Sequence, residues 1–578
     1  MPTEHGRVRP EPGVERILLV YPRFTRNNLL GFEHMMPLFP GKKAVLPPLG
    51  LLELGALFLG EGYEVRFVDE NVGELTENDW RWADLVGVSG MHPQRPRIQA
   101  ILDQAHARGL RTMIGGPSAS ICPEYYPTAD AVHVGEIGDG TDALLAWIRS
   151  LSATRTNGTA ERTPQVKFVT ENKTDLEDLP LPALELIDVN AYFIMPLQFS
   201  VGCPYTCEFC DIPAIYGRIA RVKSAERVVT EMQQFYDHGF VGTVLFVDDN
   251  LIANKKALRK MLPGLAAWQE EHQYPYPLTS EATINLSREP EILELLQAAR
   301  FTHMFVGVES PDPSTLKDIS KKQNTQDPIV DSIRILNSYG LEVIMGMILG
   351  FDTDTEKTGD AVREFIRESN VPIVYFNLLA ALPKTALWDR LEKEGRIITG
   401  GEDATRSDEL MTCMTSNVKF KLPLETVQQM LRDTVSDVYS PKETYRRFRW
   451  NAENVYGKQI QGVPPTKTRA QQLFAARFAI GTLTNVIGKL GVVSRDRGHF
   501  WRFVADIAVL KAKGDIESFL EVLLRCAPDA EHLVTWGRVL HEEHGAAADV
   551  IERPVEERRE PLITLGSRRR DESRAVSA

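Results

Sequence analysis

The stretch Gln198–Arg218, "QFSVGCPYTCEFCDIPAIYGR", holds Cys203, Cys207 and Cys210 within eight positions of a 578-residue chain that has six cysteines in all. The other three, Cys122, Cys413 and Cys526, are scattered. An odd number of clustered thiols makes a poor disulfide framework. Structural zinc asks for four ligands, commonly as two separated pairs, and no second pair follows. Free cysteines are often small buried hydrophobes, which explains isolated positions but not this spacing. Three thiolates suit an iron–sulfur cluster. Each would hold one iron of a 4Fe–4S cube and leave the fourth open to a small molecule. Cys203, Cys207 and Cys210 are therefore the expected metal ligands.

The surrounding pattern is α/β. From Phe193, apolar stretches "FIMPLQFS", "GTVLFVDD", "PLTSEATI", "THMFVGVES", "EVIMGMILGF" and "PIVYFNLLA" alternate with helical ones, which predicts a partial (β/α)6 barrel. The cysteines follow its first strand, on the carboxyl face where barrel sites lie. Upstream, "RILLVYP", "EVRFVDENV", "ADLVGVSG", "RTMIGGP" and "ADAVHVGE" predict a doubly wound parallel sheet. Ligands of such sheets sit at the carboxyl ends of the strands. The candidate loops are Asp69–Val72, Ser89–Arg95, Gly115–Ser120 and Gly135–Gly138. Expected boundaries are 14–150 for the sheet unit, 151–190 for a linker, 191–385 for the barrel, 386–546 for a helical region and 547–578 for a disordered tail. The helix from Gln471 is amphipathic. It is expected to pack in the core, with peripheral contact to a membrane surface as the alternative.

Net charge is −13, with 43% hydrophobic and 25% charged residues. This is the composition of a globular protein and argues against a nucleic-acid polyanion as partner. The polar N-terminus and the lack of a run of roughly 18 apolar residues predict a cytoplasmic protein without a transmembrane segment.

Cys203-x-x-x-Cys207-x-x-Cys210, with Phe209 before the last cysteine, resembles the radical S-adenosylmethionine signature. Val201 stands where relatives usually carry Arg before the Gly-Cys. An open sheet ahead of such a barrel resembles the cobalamin-binding class of these enzymes. Further motifs, "FPGKKAVLPPLGLLELGA" (39–56), "DENVGEL" (69–75), "WADLVGVSGM" (82–91), "FVDDNLIANKKAL" (246–258), "SEATINL" (280–286) and "SPKETYRRF" (440–448), make the chain similar to the family that includes hopanoid C-2 methylases.

The resemblance implies three cofactors: a 4Fe–4S cluster, S-adenosylmethionine and cobalamin. It implies S-adenosylmethionine contacts from Asp248, Asp249, Glu281 and Glu309 at the barrel strand ends, although turn and cap chemistry also places Asp and Asn at such junctions. It implies cobalamin contacts from Ser89, Gly115, Gly116, Gly135 and Glu136. No Asp-x-His-x-x-Gly motif supplies a lower axial histidine; His92 is the nearest loop histidine. The implied activity is C-methylation of an unactivated carbon of a small molecule or lipid, a hopanoid-like one included. The implied electron donor is a reductase or flavodoxin-type protein. Rearrangement, cyclisation or oxidation without methyl transfer is one alternative, and a non-catalytic iron–sulfur redox module another. "FNLLAALP" (376–383) is a candidate lining of the substrate pocket, with barrel core as the equal alternative, and the C-terminal helices are candidates to cap it.

Overall fold

The computed structural model describes residues 13–24, 34–151, 164–398, 416–465 and 469–551. The first part of the expected linker, the expected disordered tail from residue 552 onward, and Cys413 lie outside the described residues.

Among the described residues fourteen strands appear in chain order: β1 (Arg16–Tyr21), β2 (Glu64–Asp69), β3 (Leu85–Ser89), β4 (Arg111–Gly115), β5 (Ala131–Val134), β6 (Val166–Val169), β7 (Ile194–Leu197), β8 (Ser200–Val201), β9 (Arg221–Val222), β10 (Thr243–Phe246), β11 (Leu278–Glu281), β12 (Phe301–Glu309), β13 (Glu342–Leu349) and β14 (Ile373–Leu378). The first six form one parallel sheet in the order β2-β1-β3-β4-β5-β6. The run Ile17–Val20 is buried throughout because β1 is covered on both faces. Ile17 and Leu19 join Leu51, Phe58 and Leu145 on one side, and Leu18 and Val20 join Ile98 and Leu102 on the other. The strand order reverses between β1 and β3, which opens a crevice at their carboxyl ends. Val166–Val169, within the stretch expected to be a linker, adds the sixth strand.

A second six-stranded parallel sheet has the order β14-β13-β12-β11-β10-β7. It is the expected partial barrel. Its β7 edge is extended from the N-terminal unit: Ala44 makes a parallel bridge to Tyr192, and the Ile194 amide donates to the Val45 carbonyl at 2.8 Å. β8 and β9 form a small antiparallel ribbon that closes the base of the cysteine loop. Ser224 and Asn254 cap the helices Ala225–Asp237 and Lys255–Glu271.

The C-terminal region is helical, with Leu424–Val438, Pro441–Asn454, Arg469–Val486, a π-helical turn Ile487–Val493, Arg497–Lys513 and Phe519–Ile551. From Leu424 on it does not cap the catalytic face as expected; the preceding helix Ala386–Lys393 does reach the cysteine loop, through Arg390 and the Leu387 amide. The anchors of the later helices sit at the amino ends of the barrel strands. Gln459 donates to the carbonyls of Thr302 and Gly340, while Tyr456 and Arg525 reach the buried carboxylate of Glu342 at the start of β13. These unpaired polar groups at the bottom of an incomplete barrel need partners, and the helices supply them. No helix among the described residues is long and apolar enough to cross a membrane.

Candidate active site

The three cysteines are free and partly buried on the loop between β8 and β9. Backbone contacts set its shape. Gly202 has φ +101°, and a Cβ there would stand 2.9 Å from the Ile219 carbonyl, so glycine alone lets the chain enter Cys203 at this angle. Asp249 accepts the Gly202 amide at 2.7 Å. Asp248, buried, accepts the amides of Phe199 at 3.2 Å and of Ser200. The Glu208 amide donates to Ile319, and its carboxylate takes two bonds from Arg390, at 2.5 and 3.1 Å. Arg390 also donates to Asp352 at 3.0 Å.

Among the described residues no three His, Cys, Asp or Glu converge as a site for a single metal ion. A 4Fe–4S cube makes no such demand, because its thiolates bind separate irons. Three thiols on one pinned loop, with Gln323 Nε2 donating to Cys207 Sγ at 3.5 Å, fit the cluster and not zinc.

The carboxylates at the strand ends differ in their surroundings. The Glu281 carboxylate has no hydrogen bond or ion pair among the described residues, although the backbone carbonyl of Glu281 accepts the Leu251 amide at 2.8 Å. It is open to solvent yet ringed by protein, and these surroundings, with Asp249, Asp248 and Glu309 close by, push it up to about 7. Burial raises Asp249 to about 6 and Asp248 to about 7, although backbone amides stabilise both charges. Glu309, at φ +68°, pairs with Lys321 Nζ at 2.6 Å. Lys321 lies 5.6 Å from the Phe209 ring and holds its proton more tightly than usual, because Glu309 and Cys207 outweigh the cost of burial. Three buried polar atoms on the same face lack partners: Asn250 Nδ2, Thr283 Oγ1 and Asn285 Oδ1. Buried polar groups are rarely left unpaired. This mixture of vacant donors and acceptors fits the ammonium, carboxylate and ribose of S-adenosylmethionine. Asp354 serves its own turn, accepting the amides of Gly350 and Phe351.

A cavity of about 430 Å³ opens at the switch point of the first sheet. Ser89, Gly115, Gly116, Gly135 and Glu136, five sequence-predicted residues, all line it. Gly116 has φ +84°, and a Cβ there would strike the Ser89 hydroxyl. This bare backbone at the carboxyl edge fits close approach by a large flat ligand such as a corrin. The opposite wall is Pro196, Gln198, Val201, Tyr216 and Val247, from the barrel and the segments flanking the cysteines. One cavity therefore reaches from the sheet edge to the cluster loop.

His92 does not line the cavity; its Nδ1 lies 2.8 Å from the Ser118 hydroxyl. His133 does line it, but Nε2 bonds to Thr141 at 3.0 Å and burial lowers it to about 4. "FNLLAALP" is barrel core rather than pocket lining. Phe376, Leu378, Leu379 and Ala381 are buried, and Phe376 packs on Tyr439. Lys321 and Glu53 are among the residues that escaped the sequence reading. Lys321 carries no spacing signal. Glu53 is a lone acid in the apolar helix Leu49–Gly60, a conflict that is itself a signal. It lines the cavity with Oε1 buried and unpartnered, and burial pushes its carboxyl up to about 7 against the pull of Lys223.

Comparison with known proteins agrees with this geometry. The B12 binding domain family matches residues 43–147, the Radical SAM superfamily 197–366 and a domain of unknown function (DUF4070) 385–544. Hopanoid C-2 methylase of Rhodopseudomonas palustris is 41% identical over 534 residues, covering 92% of this chain and 96% of that protein. An uncharacterized methyltransferase of Synechocystis is 31% identical over 534 residues, covering 92% and 93%. The solved structure of the cobalamin-dependent S-adenosylmethionine radical enzyme OxsB, with aqua-cobalamin and S-adenosylmethionine bound, shares the fold at a TM-score of 0.57 and 14% identity, covering 94% of this chain and 82% of that one. The chain belongs to the family of cobalamin-dependent radical S-adenosylmethionine C-methyltransferases that includes hopanoid C-2 methylase, and its cofactors are a 4Fe–4S cluster, S-adenosylmethionine and cobalamin.

Proposed function

We propose that this enzyme methylates an unactivated ring carbon of a hopanoid-type polycyclic lipid. The observation that carries the reading is the single cavity between the glycine-lined sheet edge and the cysteine loop, in a chain 41% identical to hopanoid C-2 methylase over 92% of its length. When bound, the cluster with S-adenosylmethionine supplies hydrogen abstraction, and cobalamin supplies the methyl group.

The protein's part is to hold, orient and exclude water. Cys203, Cys207 and Cys210 hold three irons. Glu281 and Asp249 receive the ammonium of S-adenosylmethionine, with Asp248 behind them fixing the loop. Asn250, Thr283 and Asn285 serve its remaining polar groups, and Glu309 with Lys321 the ribose side. Ser89, Gly115, Gly116 and Gly135 let the corrin approach the backbone, and Glu136 ties that edge to the barrel. Glu53 accepts an N–H from a corrin amide, satisfying its vacant oxygen. Leu46, Leu49, Leu54, Val201 and Val247 form apolar walls suited to a polycyclic hydrocarbon, and they keep water from a reactive carbon centre. The partly exposed cysteine loop leaves access for a reductase or flavodoxin-type electron donor.

The test is expression in a hopanoid-producing host that lacks its own C-2 methylase, with mass spectrometry of extracted lipids. A hopanoid carrying one added methyl is expected. Unaltered hopanoids beside protein loaded with cluster and cobalamin would remove the lipid assignment.

A further inference from the structure

The helix Arg469–Val486 and the turn after it present apolar side chains to solvent. Leu473, Ile480 and Ile487 recur at seven-residue spacing, near one line of the helix, and are 60%, 66% and 37% exposed. Val492 and Val493 follow in the turn at 65% and 77%. Trp501, 46% exposed, leans on the same turn, where its indole N–H donates to the Gly491 carbonyl at 2.9 Å. These are not the packing residues of the segment. Thr482, Val486 and Leu490 are buried beneath them. On the inner side Phe478 stacks on Phe39, Asn485 donates to the Leu38 carbonyl at 3.2 Å and Lys489 to the His34 carbonyl at 2.9 Å. The expected core packing therefore accounts for one side of this segment only.

Charge identifies what covers the other side. In a chain of net charge −13, the segment Asn454–Arg495 contains no Asp or Glu, and its exposed cations include Arg469, Arg477 and Arg495. Arg497 and Arg502 follow, and Asp496, which stands just before them, is already paired with Arg538. Exposed aliphatic groups, a tryptophan and cations without acids are the chemistry of a bilayer interface bearing anionic headgroups. A second copy of this chain suits the face poorly, because a two-fold contact would set the same cations against each other.

We propose that Leu473, Ile480, Val492, Val493 and Trp501 seat the enzyme on an anionic phospholipid bilayer by interfacial insertion, without spanning it. The seat is joined to the active site. The segment beneath it, His34 to Pro40, runs on into Leu46–Leu54 at the cavity wall. The inference goes beyond the methylation reading and does not depend on which molecule is methylated.

The test uses the full chain with cluster and cobalamin in place, sedimented with mixed phosphatidylglycerol–phosphatidylcholine vesicles and with phosphatidylcholine vesicles alone. Binding to the mixed vesicles is expected, weakening with salt and at least about tenfold weaker on phosphatidylcholine. The double substitution V492D/V493D should lower the partition coefficient at least about tenfold, with near-ultraviolet circular dichroism and hydroxocobalamin binding unchanged. Should that variant fail to fold, R477E/R502E serves for the same comparison. Absence of vesicle binding, equal binding to neutral vesicles, or wild-type binding by a folded variant overturns the proposal. So does a dimer, measured by light scattering, that the same substitutions dissociate.

Discussion

Glu136, at the carboxyl edge of the N-terminal sheet, and Arg221, on the ribbon that closes the cysteine loop, form an ion pair at 2.5 Å. Lys173 approaches the other carboxylate oxygen at 2.5 Å. The loop expected to meet cobalamin is thereby tied to the loop that carries the cysteines. The side chains are only 18% and 28% exposed, so solvent screens the pair incompletely. Glu136→Gln should cost about 1–3 kcal/mol of stability and weaken hydroxocobalamin binding, read by calorimetry and spectral titration. Unchanged melting and affinity would show that the pair couples nothing.

The cysteines should divide cleanly by role. Cys203→Ala, Cys207→Ala and Cys210→Ala should each abolish S-adenosylmethionine cleavage and lower iron content. Cys122→Ala and Cys526→Ala should keep both, even though these two thiols are buried. Full iron and cleavage in Cys207→Ala would remove the cluster assignment.

Arg390 holds the cluster loop through Glu208 and reaches Asp352 with the same guanidinium. Arg390→Ala removes both bonds to the Glu208 carboxylate, while Asp352 keeps Arg396, a loss of about 1–3 kcal/mol in local stability. Faster loss of cluster absorbance in air is the expected signature, with partial recovery in Arg390→Lys. An unaltered decay rate would make the clamp irrelevant to the cluster.

Glu53 gives a pH dependence with a definite sign. Its carboxyl titrates near 4.5 when unperturbed and about 7 in the fold. The folded chain binds this proton more tightly, so its contribution is full below about 4.5 and is lost as pH rises through about 7. Without cobalamin, Glu53→Gln should gain about 1–3 kcal/mol on wild type at a pH of about 8 and little at about 4.5. Denaturant titrations at both values check this. Parallel stability curves would mean that the carboxyl is not buried as described.

Both sheets were legible because several of their strands are apolar runs, as in Ile17–Val20, a pattern that doubly covered strands support. β6 escaped because it is a short edge strand with alternate residues exposed, set in polar sequence. The cysteine loop announced itself by spacing. Lys321 could not, since its pairing with Glu309 depends on a turn that brings together residues twelve positions apart. The placement of the C-terminal helices was misread for a related reason. Apolar periodicity tells that a face is buried but not against what, and the groups that decide it, such as Arg525 and Glu342, are distant in sequence. For "FNLLAALP" the structure decides for barrel core over pocket lining, a choice the sequence left open because both share one composition.

The central claim is methyl transfer to carbon, and isotope labelling tests it most directly. Reduced, cofactor-loaded protein would be incubated with a hopanoid and S-adenosylmethionine carrying a trideuterated methyl group. The account predicts a product bearing one intact trideuteromethyl group, together with 5′-deoxyadenosine and S-adenosylhomocysteine. Formation of 5′-deoxyadenosine with a hopanoid altered but carrying no label would contradict it, placing the chemistry among radical reactions without methyl transfer.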